Sequence, residues 1–556
     1  MPKFYEEKSK RKLDILRKKE EEESTKIISQ KYGIPYVNLG TFPIEIDALM
    51  TVPEDHARTA ELAVIQMTGK HLRIAVKNPQ KEETVAVLKQ LEEERYTHEL
   101  FLASKSSLEH AWEVYQKAPE RYKTTAGIVE IHNEHLTALQ KEIRNIDEVK
   151  SLVEKAFFGK TTEILEIVLA GAVALGASDI HLEPQEERVR LRFRLDGVLY
   201  DVIFLPPKVF KLLLSRIKLV AELKLNIRDK AQDGRFTIRI EDTDVEVRVS
   251  SLPGPYGENI VMRILNPNTI QINFEDMGMQ PWIMATMEEE LKKPNGMILT
   301  TGPTGSGKTT TLYAAVRKVH NPGTKIITVE DPIEYHLKGI EQTQVDSEKG
   351  YDFANALRAI VRQDPDVILV GEIRDLETAS IAMHAALTGH LVFSTLHTNN
   401  AAGTIPRLLD LGIKPPIIAP AINVSMAQRL LRKLCGFCKQ ELKPTEEFLK
   451  KLQQELAGFP KAIPVPDQKD WKLFKAAPQG CPKCNNTGYK GRIGVFEIIL
   501  IDDEIERLVL KGESSEYEMQ KQAFRQGQIT MRQDGLLRVL TGMTDLEEIE
   551  SVVGNK

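Results

Sequence analysis

Met297-Ile298-Leu299-Thr300-Thr301-Gly302-Pro303-Thr304-Gly305-Ser306-Gly307-Lys308-Thr309-Thr310 is an apolar run that meets a glycine-rich loop and then opens an apolar-periodic segment. That order of strand, loop and helix is the context the pattern G-x-x-x-x-G-K-[ST] requires. Gly302, Gly305 and Gly307 let the backbone turn back on itself, so that successive N–H groups and the N-terminus of the following helix converge on one anion. Donors spread over Gly302 to Thr310 suit the α- and β-phosphates of ATP. Lys308 sets a point charge where the β- and γ-phosphates lie, and Thr309 offers Mg²⁺ a hard hydroxyl oxygen. A surface turn has no need of Lys-Thr after its third glycine, so the stretch reads as a phosphate loop.

Working outward, residues 274–424 alternate strand and helix patterns, which predicts a mostly parallel sheet with crossover helices and with phosphate chemistry at the strand C-termini. Lys325-Ile326-Ile327-Thr328-Val329 ends in Glu330-Asp331-Pro332-Ile333-Glu334, and Val367-Ile368-Leu369-Val370 ends in Gly371-Glu372. Hydrolysis of a γ-phosphate needs a held phosphate chain, neutralising charge and a group that orients water. Glu372, a carboxylate at the end of an apolar strand, is expected in that last role. Glu330 and Asp331 are expected to tune Mg²⁺ and its waters, with Glu334 farther out. His390 and His397 flank the strand Leu391-Val392-Phe393-Ser394-Thr395, where a neutral imidazole can read the γ-phosphate or relay its loss.

The remaining chain reads as further modules, since its length suits roughly three or four domains of ~150 residues. Lys plus Arg number 75 against 80 Asp plus Glu, a net charge of -5, which gives no global basic field for nucleic acid. The apolar stretch Ile167–Ala177 falls short of the ~20 residues a membrane span needs, and the charged N-terminus is no secretory segment, so a cytoplasmic protein is expected. Residues 1–24 form a charge-dense leader expected to be disordered. Residues 25–117 read as a small α/β module with a hairpin around Thr68-Gly69-Lys70, and 118–160 as a connector. Residues 161–273 carry two alternating strand pairs, with turns at Asp196-Gly197 and Asp242-Thr243. From that sheet Arg194, Arg235, Arg248 and Arg263 are displayed. Residues 425–556 contain Cys435-Gly436-Phe437-Cys438 and Cys481-Pro482-Lys483-Cys484, four thiolates suited to a closed tetrahedral Zn²⁺ site, with a helical insertion expected over 439–480.

These residues resemble the secretion superfamily of hexameric ATPases, in its type II secretion and type IV pilus assembly (GspE/PilB-like) branch. The similarity runs through Gly302–Thr309, Ile327–Tyr335, Val367–Asp375 and Ala385–Thr398, and takes in Ala177–Pro184, Gln232–Arg235 and the four cysteines. It implies a RecA-like core, a homohexamer, and a mobile second module whose arginines Arg194, Arg235, Arg248 and Arg263 reach ATP. It further implies work on pilin or pseudopilin subunits through an inner-membrane platform protein, at the inner face of the plasma membrane. Residues 25–117 look like the family's small domain that docks on membrane-anchored assembly proteins. Some relatives bind cyclic di-GMP through paired Arg-Leu-Gly motifs; no Arg-Leu-Gly occurs here, so that ligand is not carried over. The alternative, a nucleic-acid-translocating motor for DNA uptake or transfer, lacks a basic run in the phosphate-loop module: 341–348 and 364–366 are acidic or neutral.

Overall fold

Alternation of apolar and arginine residues over 189–195 becomes a strand whose side chains are alternately buried and half-buried, as the pleat demands. The computed structural model of the chain describes residues 20–554, apart from 41, 43, 50, 69, 94–95, 118–127, 130–138, 140–141, 158–160, 241–242, 268–271 and 347–348. The leader up to residue 19 and the first part of the expected connector lie outside the described residues. The chain falls into two compact units, one ending at Ala126 and one beginning at Gly127.

In the first unit, β1 (Leu62–Thr68) and β2 (His71–Val76) form the expected hairpin, and β3 (Thr97–Leu102) joins β2 in parallel after the helix Glu82–Glu93. The helix Lys105–Lys117 closes the core with Trp112 and Tyr115, which donate to Leu62 O at 3.0 Å and Leu49 O at 2.9 Å. One boundary changes: residues 20–32 are helical, so the leader does not extend to residue 24. Glu22 accepts from Ser104 at 2.6 Å, from Ser107 at 2.8 Å and from Tyr36, while Glu21 accepts from the Lys105 N–H at 3.1 Å. Glu21 thus meets a backbone N–H, and Glu22 the serine hydroxyls, at the positive end of the helix Lys105–Lys117, which orders a stretch that composition alone reads as disordered.

In the second unit, one sheet runs in the order β4 (Ile128–Val129), β8 (Gln232–Ile240), β9 (Thr243–Gly254), β10 (Gly257–Leu265), β5 (Asp179–Pro184), β6 (Val189–Leu195), β7 (Val198–Leu205). Asp196 and Gly197 take φ of 48° and 89°, the paired left-handed residues a two-residue hairpin requires. Thr243, expected in the second turn, instead pairs with Ile240 and belongs to the strand. The helix Ile146–Ala156 buries Val149, Val153 and Ala156 against the helix Thr161–Ala174, where a Cβ on Gly171 would stand 2.7 Å from Val149. The C-terminal part of the expected connector is therefore core, because its apolar residues recur at helical spacing.

The other large sheet has the order β13 (Glu341–Gln344), β12 (Ile326–Glu330), β14 (Val367–Val370), β15 (Leu391–Leu396), β11 (Gly296–Thr301), β16 (Ile422–Leu434), β19 (Tyr489–Leu500). The first six are parallel and β19 is antiparallel, in keeping with the expected crossover architecture. Every residue of β11, β12, β14 and β15 is buried. Helices on both faces explain why these strands read as continuous apolar runs, each aliphatic side chain contributing about 1.5–3 kcal/mol. The expected boundary at residue 424 cuts through β16, so the C-terminal region completes this sheet instead of standing apart. Between its cysteine pairs lie the short β17 (Gln440–Glu441) and β18 (Phe474–Lys475) and the expected helix, Glu446–Ala457.

Candidate nucleotide site and metal centre

The phosphate loop leaves β11 at Thr301 and ends where Gly307 caps the helix Lys308–Val319. Gly302, Gly305 and Gly307 have φ of 146°, 81° and 92°. A Cβ on Gly302 would stand 2.7 Å from both Gln428 O and Ser306 Oγ, and one on Gly307 would stand 2.8 Å from Gln428 Nε2. The loop is thus clamped from β16, and only glycine fits at either end. Pro303, Thr304 and Gly305 are exposed at its apex, as is Thr309, while Ser306 is buried and Thr310 half-buried. Lys308 Nζ donates to Gly302 O at 2.8 Å and Pro303 O at 3.0 Å. Burial lowers the Lys308 pKa, with Glu372 acting in the opposite sense.

Parallel pairing brings the expected carboxylates to the same edge. Thr301 pairs with Leu396, Val329 with Val370 and Val370 with Ser394, so the residues that follow β11, β12, β14 and β15 emerge together. The Glu372 side chain is only 15% exposed and pairs with Arg374 and, at 3.3 Å, with His397 Nε2. Glu330 is enclosed: Thr328 Oγ1 donates to it at 2.6 Å, Gln342 Nε2 at 3.0 Å, and Tyr313 Oη to its other oxygen. Burial, then the Glu330 charge, raises the pKa of Tyr313, so the tyrosine stays a donor. Through Tyr313, Glu330 anchors the helix Lys308–Val319; Asp331, next to it, is exposed.

His390 does not join the site. It precedes Leu391, which pairs with Gly296 at the start of β11, and its Nδ1 lies 2.9 Å from Ala385 O. At ~3.3 Å per residue the length of β15 separates it from the phosphate loop by about 20 Å. The arginines of the preceding sheet divide. Arg194 and Arg263 both donate to the buried Asp179, at 3.1 Å each. Arg248 spans the two large sheets, donating to Glu334 at 2.8 Å and Ile333 O at 2.5 Å. Arg235 is exposed on β8.

Gln428 and Arg429 escape a reading that stops at residue 424. Gln428 accepts from Thr311 Oγ1 at 2.6 Å, and Arg429 Nη1 lies 3.2 Å from where a Gly302 Cβ would be. Their signal was a polar pair interrupting the apolar run Val424-Ser425-Met426-Ala427-Gln428-Arg429-Leu430-Leu431.

The four cysteines converge, their Sγ atoms all within 4.8 Å of one another. The pairs Cys435/Cys481, Cys438/Cys484 and Cys481/Cys484 stand 3.9, 3.8 and 3.7 Å apart. A tetrahedron of ~2.3 Å Zn–S bonds has edges of about 3.8 Å, so the cradle fits that ion. Burial raises the Cys484 thiol, but N–H groups of Cys481 and Gly488, at 3.1 and 3.3 Å, bring its pKa down to about 7. Such donors favour the thiolate a metal requires.

Comparison with known proteins agrees with this geometry. The profile of the Type II/IV secretion system protein family matches residues 154–551, and that of the MshEN domain matches 32–121. Over 537 residues, 96% of this chain and 91% of the relative, it is 38% identical to the type IV pilus assembly ATPase PilB of Myxococcus xanthus. Over 404 residues, 73% and 78% respectively, it is 44% identical to the type II secretion system protein E of Pseudomonas aeruginosa. The solved ATPase DotB of Yersinia pseudotuberculosis shares the fold with a TM-score of 0.51 at 20% identity, covering 71% of this chain and 94% of that one. With a phosphate loop, a strand-end glutamate and a four-cysteine cradle set in that fold, the chain belongs to the Type II/IV secretion system protein family.

Proposed function

We propose that this protein is an ATPase that turns Mg²⁺-dependent hydrolysis of ATP into mechanical work on pilin or pseudopilin subunits. The observation that carries the reading is the meeting of Lys308 and Glu372 at one edge of a buried parallel sheet, in a chain of this family. Lys308 holds the phosphate chain, and Thr309 and Asp331, both exposed, would hold Mg²⁺, which would neutralise charge on the phosphates. Glu372 orients the attacking water and takes its proton, held in place by Arg374 and His397. The work is done by a homohexamer at the cytoplasmic face of the plasma membrane, through an inner-membrane platform protein and membrane-anchored assembly proteins. Among the described residues no helix is long and apolar enough to cross a membrane, so attachment runs through such partners. Arg235, exposed, is the second-module arginine free to reach a neighbouring site; Arg194, Arg248 and Arg263 must first release their carboxylates. Zn²⁺ on Cys435, Cys438, Cys481 and Cys484 is structural, closing the insertion onto β16 and β19.

Phosphate release from MgATP tests the reading. Lys308→Ala loses nucleotide binding together with turnover, whereas Glu372→Gln binds ATP and retains it. Turnover by Glu372→Gln within about a factor of 2 of wild type removes Glu372 from its assigned role.

A further inference from the structure

Arg429 stands two residues beyond Ala427, the last residue of β16 that pairs with β11, and its side chain lies against the start of the phosphate loop. Nη1 is shielded from solvent and has no hydrogen-bond partner among the described residues. Nη2 reaches only Asn399 O, at 3.4 Å. A guanidinium has five donors and does not lose its proton, so shielding one with a donor open costs stability unless an anion completes it. Among the described residues no anion does. Glu497, the carboxylate whose charge it feels, makes no hydrogen bond to it and accepts instead from the N–H groups of Ala401 at 2.7 Å and Met531 at 3.1 Å. The loop itself, Gly302–Thr310, contains no acidic residue.

The contrast with Arg432, three residues on in the same strand, separates a ligand from a strut. Arg432 places Nε and Nη2 on Glu548 at 2.9 and 2.6 Å and Nη1 on Tyr200 Oη at 3.3 Å, so each of its nitrogens is satisfied by protein. Arg429 is satisfied at one, weakly. It also adds its charge to that of Lys308, whose ammonium is disfavoured first by burial and also by Arg429. Two cations and a row of loop N–H groups converge there, with Glu372 the carboxylate whose charge reaches Lys308; a di- or triphosphate supplies the negative charge that is still missing.

We propose that Arg429 is a phosphate ligand of this chain's own nucleotide site, its open Nη1 completed by a phosphate oxygen of the bound nucleotide beside Lys308. The assignment rests on the nucleotide reading above and adds a cation supplied in cis, distinct from the second-module arginines.

The test uses the full-length chain and variants Arg429→Met and Arg429→Lys, with ADP and a non-hydrolysable ATP analogue as probes in Mg²⁺ buffer. Binding is read by calorimetry and melting temperature with and without nucleotide. Arg429→Met is expected to weaken binding by about 10- to 100-fold, the loss of a charge-assisted hydrogen bond. Its melting temperature without nucleotide is expected to hold or rise, because an uncompensated charge has gone, while the rise on adding nucleotide shrinks. Arg429→Lys, which keeps the charge but not the fork, falls between. Unchanged affinity in both variants overturns the proposal, as does a nucleotide-free melting temperature that falls while affinity stays. Should Arg429→Met not fold, Arg429→Lys decides alone: wild-type affinity overturns and weakened affinity supports. Wild-type chain that binds neither probe overturns instead the nucleotide reading on which this one stands.

Discussion

Glu330 and Glu372 end neighbouring strands of the same sheet, yet their surroundings assign them opposite duties. Glu330 is buried with Tyr313, Thr328 and Gln342 all donating to it. Replacing it by glutamine turns an NH₂ donor toward donors, so Glu330→Gln is expected to lower stability by about 1–3 kcal/mol, read as a drop in denaturant midpoint without nucleotide. Glu372 has exposed partners in Arg374 and His397, whose ion pairs are worth at most about 1 kcal/mol. Glu372→Gln should leave that midpoint nearly unmoved while abolishing turnover. An equal stability loss in both variants would show that Glu372 too is structural. Both glutamates were legible in the sequence as strand-end carboxylates; what claims them was not, because Tyr313 and Gln342 come from other elements. The two histidines show the same limit. A strand flanked by His390 and His397 has only one end at the phosphate loop, and the parallel direction of β15 and β11 decides which.

At the scale of elements, the cysteine cradle joins the ends of β16 and β19: Cys435 follows Leu434, and Cys484 precedes Tyr489 by five residues. Closing that loop with a metal fixes the insertion that carries the helix Glu446–Ala457. Protein purified without added metal is expected to contain one zinc per chain by elemental analysis. Cys435→Ser should lose the metal and several degrees of melting temperature, since binding free energy at a closed site is folding free energy. Retention of both metal and stability would remove the assignment. The two Cys-x-x-Cys pairs gave this centre away at once, whereas the strands leading to it were hidden. Residues 425–434 mix Gln428, Arg429, Arg432 and Lys433 among leucines, a pattern that resembles a surface strand until the phosphate loop is seen packed on it. The helix Ile146–Ala156 is legible as a polar, helix-like segment, but its place in the core is not, its apolar stripe being diluted by charged residues on the solvent face.

At the scale of the molecule, Arg248 ties the second-module sheet to the segment after β12, so a change of nucleotide felt at 330–334 is felt by both sheets. If arginines from one subunit complete the site of the next, mixing Lys308→Ala subunits into wild-type assemblies should depress ATP turnover more steeply than their fraction. Linear dilution would indicate independent subunits. The same assay separates a protein motor from a nucleic-acid motor: a cytoplasmic fragment of a platform protein is expected to stimulate turnover, and DNA is not. DNA-dependent, salt-sensitive acceleration would reverse that ranking. β16 has a consequence of its own. It runs from the flank of the phosphate loop at Arg429 to the brink of Cys435, about 20 Å of chain at ~3.3 Å per residue. Along that stretch the strand is paired with β19 on one edge, and an extended chain has little slack to take up, so a displacement at one end is handed on to the other. The cysteine cradle is then the far anchor of a tie-rod whose near end lies at the phosphate loop.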